Sequence, residues 1–169
     1  MIRRQLINFQ NRSVDVRVGL GAFDELSRMF ASAVGKPKRA MVVWNSASSE
    51  RFDEVVEHAL VDAGFAVSQF SLEVSPAGAT LADADAIFGA LSANGITCDD
   101  LVVAVGDAAT CSVVSWCANQ WCGRTECALL PTTFDAMLTV ATTMKPLIAS
   151  SSNALPAIAF RPEPGLVVC

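Results

Sequence analysis

The chain has 169 residues, a formal net charge of −5, 52% hydrophobic and 17% charged residues, and a mean hydropathy of +0.42. That composition is too apolar for a disordered chain and sufficient for one buried core, so a single domain over residues 1–169 is expected. The acidic balance, with no cation cluster beyond Arg3-Arg4 and Lys36-Pro37-Lys38-Arg39, argues against a nucleic-acid or anionic-membrane partner, because neutralising phosphates takes several convergent cations.

From the amino terminus, Gln5 to Phe9 and Val14 to Val18 flank Asn11-Arg12-Ser13. Val14, Val16 and Val18 alternate with Asp15 and Arg17, the pattern of a β-hairpin with its valines inward. Ala22 to Val34 carries Phe23, Leu26, Met29, Phe30 and Val34 at helical spacing and ends at Gly35 and Pro37. Arg39 to Trp44 reads as a strand buried on both faces. The alternation continues with a helix over Ser49 to Ala63, a strand over Phe65 to Phe70, a helix over Leu81 to Ala93 and a strand over Leu101 to Val105. A helix over Ala108 to Trp121, a short strand over Ala128 to Leu130, a helix over Thr133 to Met144 and a final strand over Leu166 to Val168 complete the chain. Strand and helix alternating over short connections predict an α/β, Rossmann-like, mostly parallel sheet with helices on both faces and an N-terminal β-hairpin.

The longest apolar stretches, near Leu101–Val105 and Leu155–Phe160, fall far short of the roughly 20 residues that span a bilayer. Met1 to Gln10 turns polar where a secretory signal would have its apolar region. Cys98, Cys111, Cys117, Cys122, Cys127 and Cys169 crowd into the second half of a chain long enough to fold without staples, so reduced thiols in the cytoplasm are expected. Their spacing gives no Cys-x-x-Cys pair, and His58 is the sole histidine, set among Glu54, Glu57 and Asp62 as a solvated side chain. No metal site is expected from this sequence.

In open α/β sheets ligands bind at the carboxyl ends of the strands, which directs attention to the loops after Trp44, Phe70, Val105 and Leu130. Gly106-Asp107 opens a helix, whose free N–H groups and partial positive charge suit a phosphate. Asp107 reads equally as an ordinary N-cap whose charge would repel one, and one glycine is fewer than a dinucleotide fingerprint contains. Thr132 and Thr133, after Pro131, suit a ligand phosphate or ribose, or a cap for the next helix. Cys111 is either a thiol activated near a helix start or a small buried hydrophobe.

The order of these elements, with Asn11 to Gly21, Leu101-Val102-Val103-Ala104-Val105-Gly106 and Leu129-Leu130-Pro131-Thr132-Thr133, resembles the N-terminal domain of the 3-dehydroquinate synthase family along the whole chain. Glycerol dehydrogenases and sugar-phosphate cyclases share that nucleotide-binding half. The resemblance implies tightly held NAD, a divalent metal and conversion of a phosphorylated seven-carbon sugar acid to 3-dehydroquinate in the shikimate pathway, the route to aromatic amino acids. It also implies a second, helical domain, expected beyond Cys169, that brings the metal-binding glutamate and two histidines. By that reading the present chain alone is inactive. A homodimer is a further expectation, with no interface given by the sequence.

Matched to the family pattern, Asn45 falls on the position that meets the adenosine ribose, Gly106 and Asp107 on the glycine-rich turn, and Thr132 and Thr133 on the conserved Pro-Thr-Thr. Lys145 falls on the lysine of Asp-Ser-Ser-Val-Gly-Gly-Lys-Thr, giving it a catalytic and cofactor-binding role by resemblance. Elsewhere the sequence departs. Val74-Ser75-Pro76-Ala77-Gly78-Ala79 stands where the family has Asp-Gly-Glu-x-x-Lys, Thr139 stands for the aspartate near the nicotinamide, and Ala154-Leu155 stands for a Lys-Asn pair. These departures set two expectations side by side: the NAD-binding half of a divergent synthase, or a pseudoenzyme domain with a structural or regulatory protein-binding role. A relative of NAD-dependent glycerol dehydrogenases is a third.

Overall fold

The computed structural model describes residues 1–9, 12–46, 52–75, 78–143, 145–148, 156–158 and 163–169. Strands β1 (Arg3–Phe9) and β2 (Arg12–Val18) form the expected antiparallel hairpin, registered from Arg3 opposite Val18 to Phe9 opposite Arg12. Then follow α1 (Leu26–Ala33), β3 (Arg39–Asn45), α2 (Asp53–Asp62), β4 (Ala66–Leu72), α3 (Leu81–Ala93), β5 (Leu101–Gly106) and α4 (Ala108–Gln120). The remaining elements are β6 (Glu126–Pro131), α5 (Phe134–Thr139), β7 (Leu147–Ile148), β8 (Pro156–Ile158) and β9 (Leu166–Val168).

Seven strands form one sheet in the order β1-β2-β9-β6-β5-β3-β4, parallel throughout except for β1. Alternate residues of each strand face opposite sides, so β3 and β5 divide between two cores. Met41, Val43, Val102 and Ala104 pack under α3, α4 and α5, while Ala40, Val42, Trp44, Leu101, Val103 and Val105 pack under α1 and α2. All these side chains are buried, which is why β3 and β5 read as continuous apolar runs rather than alternating ones.

Local chemistry sets the helix ends. Thr80 and Asp83 form a capping box at α3: the Asp83 amide donates to Thr80 Oγ1 and the Thr80 amide to Asp83 Oδ2. Gly64 and Gly95, at φ 94° and 61°, end α2 and α3 in the left-handed conformation a glycine adopts without strain. The helix expected from Ala22 opens as a 3-10 turn over Ala22–Glu25 and becomes α-helical at Leu26.

Two differences from the sequence reading stand out. The helix expected from Thr133 to Met144 stops at Thr139, where the Thr142 and Thr143 amides both donate back to the Thr139 carbonyl in a turn. The β-branched run Thr139-Val140 and Thr142-Thr143 loses side-chain freedom in a helix and favours that exit; Met144 itself lies outside the described residues. The short antiparallel pair β7 and β8 has no counterpart in the sequence reading. The first part of the helix expected from Ser49 also lies outside the described residues, and α2 begins at Asp53.

Candidate nucleotide-fold site

The parallel register brings the carboxyl ends of β3, β5 and β6 side by side, with Trp44 opposite Val105 and Gly106 opposite Pro131. Asn45, Gly106 and Thr132 therefore stand in a row across three neighbouring strands, and the Thr132 amide donates to the Gly106 carbonyl at 2.8 Å. The fold gathers the sequence-predicted residues of these three loops at one edge of the sheet.

Helix α4 starts in the middle of this row. Asp107 is its N-cap, in extended backbone, and Asp107 Oδ1 accepts from the Thr110 amide at 2.9 Å and from the Thr110 hydroxyl at 2.8 Å. Asn45 is buried at 4% exposure, and its Nδ2 donates to Thr110 Oγ1 at 3.0 Å. A continuous chain thus runs from the end of β3 through Thr110 to the cap of α4. Gly106 lies beneath it: a Cβ there would come within 3.0 Å of Thr110 Cβ and 3.1 Å of Asn45 Cβ. The absence of a side chain at Gly106 lets Asn45 and Thr110 close over the turn.

Thr133 caps α5, accepting from the Ala136 amide at 3.3 Å. The Lys145 amide donates to Ser112 Oγ at 2.9 Å, and that hydroxyl donates to the Ala108 carbonyl, so Lys145 is stitched to the first turns of α4. Its ammonium turns toward Asp135 Oδ2 at 3.8 Å, in an exposed pair. Cys111 is fully buried beside the Gly106 carbonyl, and burial pushes its thiol pKa up, which excludes the activated-thiol reading. His58 is exposed on α2, as its acidic neighbours imply. Among the described residues no three His, Cys, Asp or Glu side chains converge in a way that could hold a metal ion.

Sequence reading missed Thr110 and Ser112. Thr110 was signalled by its place three residues after Asp107, the spacing at which a cap accepts from the backbone. Ser112 had no such signal, since its role depends on where Lys145 returns.

No protein-family model matches the sequence, and no curated protein matches it. Solved structures do share the fold. A 2-deoxy-scyllo-inosose synthase, complexed with carbaglucose-6-phosphate, NAD+ and Co2+, superposes with a TM-score of 0.81 at 15% identity, covering 98% of this chain and 45% of that one. ValA, the 2-epi-5-epi-valiolone synthase of Streptomyces hygroscopicus subsp. jinggangensis 5008 with NAD+ and Zn2+ bound, gives 0.69 at 15% identity, covering 98% and 44%. A probable glycerol dehydrogenase from Sinorhizobium meliloti 1021 gives 0.57 at 18% identity, covering 85% and 36%. The chain spans less than half the length of these proteins and has the Rossmann-like fold found in them.

Proposed function

We propose that this chain is a 3-dehydroquinate-synthase-like nucleotide-fold domain whose dinucleotide site is filled by its own side chains, leaving it a structural or regulatory protein-binding module without turnover of its own. One observation carries the reading: the Asp107 carboxylate caps the first turn of α4. A pyrophosphate would need the same N–H groups and would meet a carboxylate in its place, at a turn already closed by Asn45 and Thr110. The residues present do not fit that group. Val74 and Ala79, in the segment aligned with the family's acid and base groups, are buried apolar residues, and Lys145 is engaged with Asp135. The six free thiols support a reducing, cytoplasmic setting.

The test is calorimetric titration of NAD into the wild type and Asp107→Gly. Wild type is expected to give no saturable heat at millimolar NAD, and Asp107→Gly to gain measurable binding by freeing the helix start. Micromolar binding by the wild type would overturn the proposal.

A second reading keeps the chain as the NAD-binding half of a longer synthase acting on a phosphorylated sugar acid, with the metal ligands on another domain. Its support is the row of Asn45, Gly106 and Thr132 on neighbouring strand ends, together with the fraction of the synthases that the chain spans. It requires wild-type NAD binding, so the same titration separates the two.

A further inference from the structure

The amino ends of β2, β6 and β9 meet at the end of the sheet opposite Gly106. Between them and the last turn of α1 lies a cavity of about 440 Å³, a volume within the range of small-molecule sites. Arg12, Arg124, Glu126, Met29, Ala33 and Leu166 all line it.

Its charged groups are of both signs and incompletely paired. Glu126 Oε1 accepts from Arg12 Nη2 at 2.9 Å, and both side chains are largely covered. Gly165 makes that approach possible, since a side chain there would collide with Glu126 Oε1. Arg124 lines the same cavity yet forms no ion pair with Glu126. Among the described residues it contacts Glu163, through Nη2, at 3.4 Å to Oε2 and 3.5 Å to the carbonyl oxygen. A guanidinium has five donors in a fixed fork, so Nη1 and Nε are left for a ligand. A cation and an anion therefore share one space without closing on each other. Burial pushes the Glu126 carboxyl pKa up even so, because less positive charge surrounds it than its desolvation calls for.

Arg124 is held here at a cost. Its φ of 138° follows positive φ at Cys122 and Gly123, and only glycine takes such a conformation without strain. Strain of this kind concentrates where a side chain is held for a ligand. The rest of the wall is apolar: Met29 and Leu166 are buried, and Ala33 is half-buried. Helix α1 ends at Ala33, which brings the negative end of its dipole to the cavity. Glu126 and Ala33 also line an adjoining hollow that Arg124 does not reach, so the helix end lies on the Glu126 side.

We propose that this cavity binds an α-amino acid with an apolar side chain. The ligand carboxylate lies on the Arg124 guanidinium, its ammonium between Glu126 and the carboxyl end of α1, and its side chain against Met29, Ala33 and Leu166. A zwitterion suits the site because its two charges are one carbon apart and opposite to those of the two residues they meet. A lone anion would be repelled by Glu126 and a lone cation by Arg12 and Arg124. The site gives the proposed regulatory module a small-molecule ligand, and it is independent of the dinucleotide edge, which lies at the opposite ends of the strands.

The test is a titration of the full chain with L-leucine by heteronuclear NMR, up to about 10 mM to cover weak small-ligand binding, following the amides of Arg124, Glu126, Gly165 and Leu166. Saturable shifts are expected at these four. 4-Methylpentanoate, which lacks the ammonium, and 3-methylbutylamine, which lacks the carboxylate, should give none. Arg124→Gln and Glu126→Gln should each raise the L-leucine dissociation constant at least about tenfold. Arg3→Gln, an exposed cation at the far end of the hairpin, should leave it unchanged. No saturable shift with L-leucine, equal binding of either single-charge analogue, unaltered affinity in the Arg124 and Glu126 variants, or equal impairment by Arg3→Gln would overturn the proposal. Should the Arg124 and Glu126 variants fail to fold, the comparison of L-leucine with its two analogues on the wild type decides.

Discussion

The Asn45 side-chain Nδ2 donates to the Thr110 hydroxyl at 3.0 Å, tying the carboxyl end of β3 to the first turn of α4 across Gly106. The Thr110 hydroxyl donates in turn to Asp107 Oδ1, so the edge of the sheet where ligands bind in this fold is joined by internal hydrogen bonds.

Replacing Asp107 with alanine removes the acceptor for the Thr110 amide and hydroxyl. The expected loss is about 1–2 kcal/mol, read as a lower urea midpoint at unchanged slope. Asp107→Asn, which keeps a side-chain oxygen for the cap, should lose less.

Arg124 holds φ 138° after Cys122 at φ 49° and Gly123 at φ 79°, three successive residues with positive φ ahead of β6. Only glycine adopts such a conformation without strain. Arg124→Gly and Arg124→Ala both remove the pair with Glu163, but alanine keeps the strain. The glycine variant should be the more stable of the two by about 1 kcal/mol.

Asp100 contributes a pH dependence to stability. Burial works against its charge, yet the Thr97 amide at 2.7 Å, the Thr97 hydroxyl at 2.9 Å and the Arg39 guanidinium at 3.1 Å outweigh burial and hold its pKa below the usual carboxylate range. The unfolded chain then takes up the proton first as pH falls. The stabilisation is complete above the unfolded pKa of about 4 and is lost as pH drops through the lower folded value. The stability difference between wild type and Asp100→Asn should be constant near neutrality and shrink below about pH 4, as measured by denaturation at a series of pH values.

Thiol reactivity should divide by burial. Cys98 and Cys122 are exposed, while Cys111, Cys117 and Cys127 are buried and Cys169 is half-buried with its pKa pushed up to about 11. A chromogenic disulfide at pH 8 should modify Cys98 and Cys122 rapidly in the native protein and reach the other four only on unfolding.

The fold was legible in the sequence because its signals are local. Continuous apolar runs such as Arg39 to Trp44 mark strands buried on both faces, and Gly64 and Gly95 mark helix ends. The β7 and β8 pair is two and three residues long, too short for any periodicity. The candidate site was half legible. Its loops were located from strand ends, and both the Asp107 and Thr133 caps were among the readings drawn from the sequence. The Asn45 to Thr110 bond joins residues 65 positions apart, and nothing local to either announces it.

The most direct test of the filled-site account is an NAD titration of the wild-type chain by heteronuclear NMR, following the amides of Gly106, Thr110, Thr132 and Lys145. The account predicts no saturable shift at any of them up to millimolar NAD. Saturable shifts at micromolar NAD, centred on Gly106 and Thr110, would contradict it and show that the dinucleotide site is open.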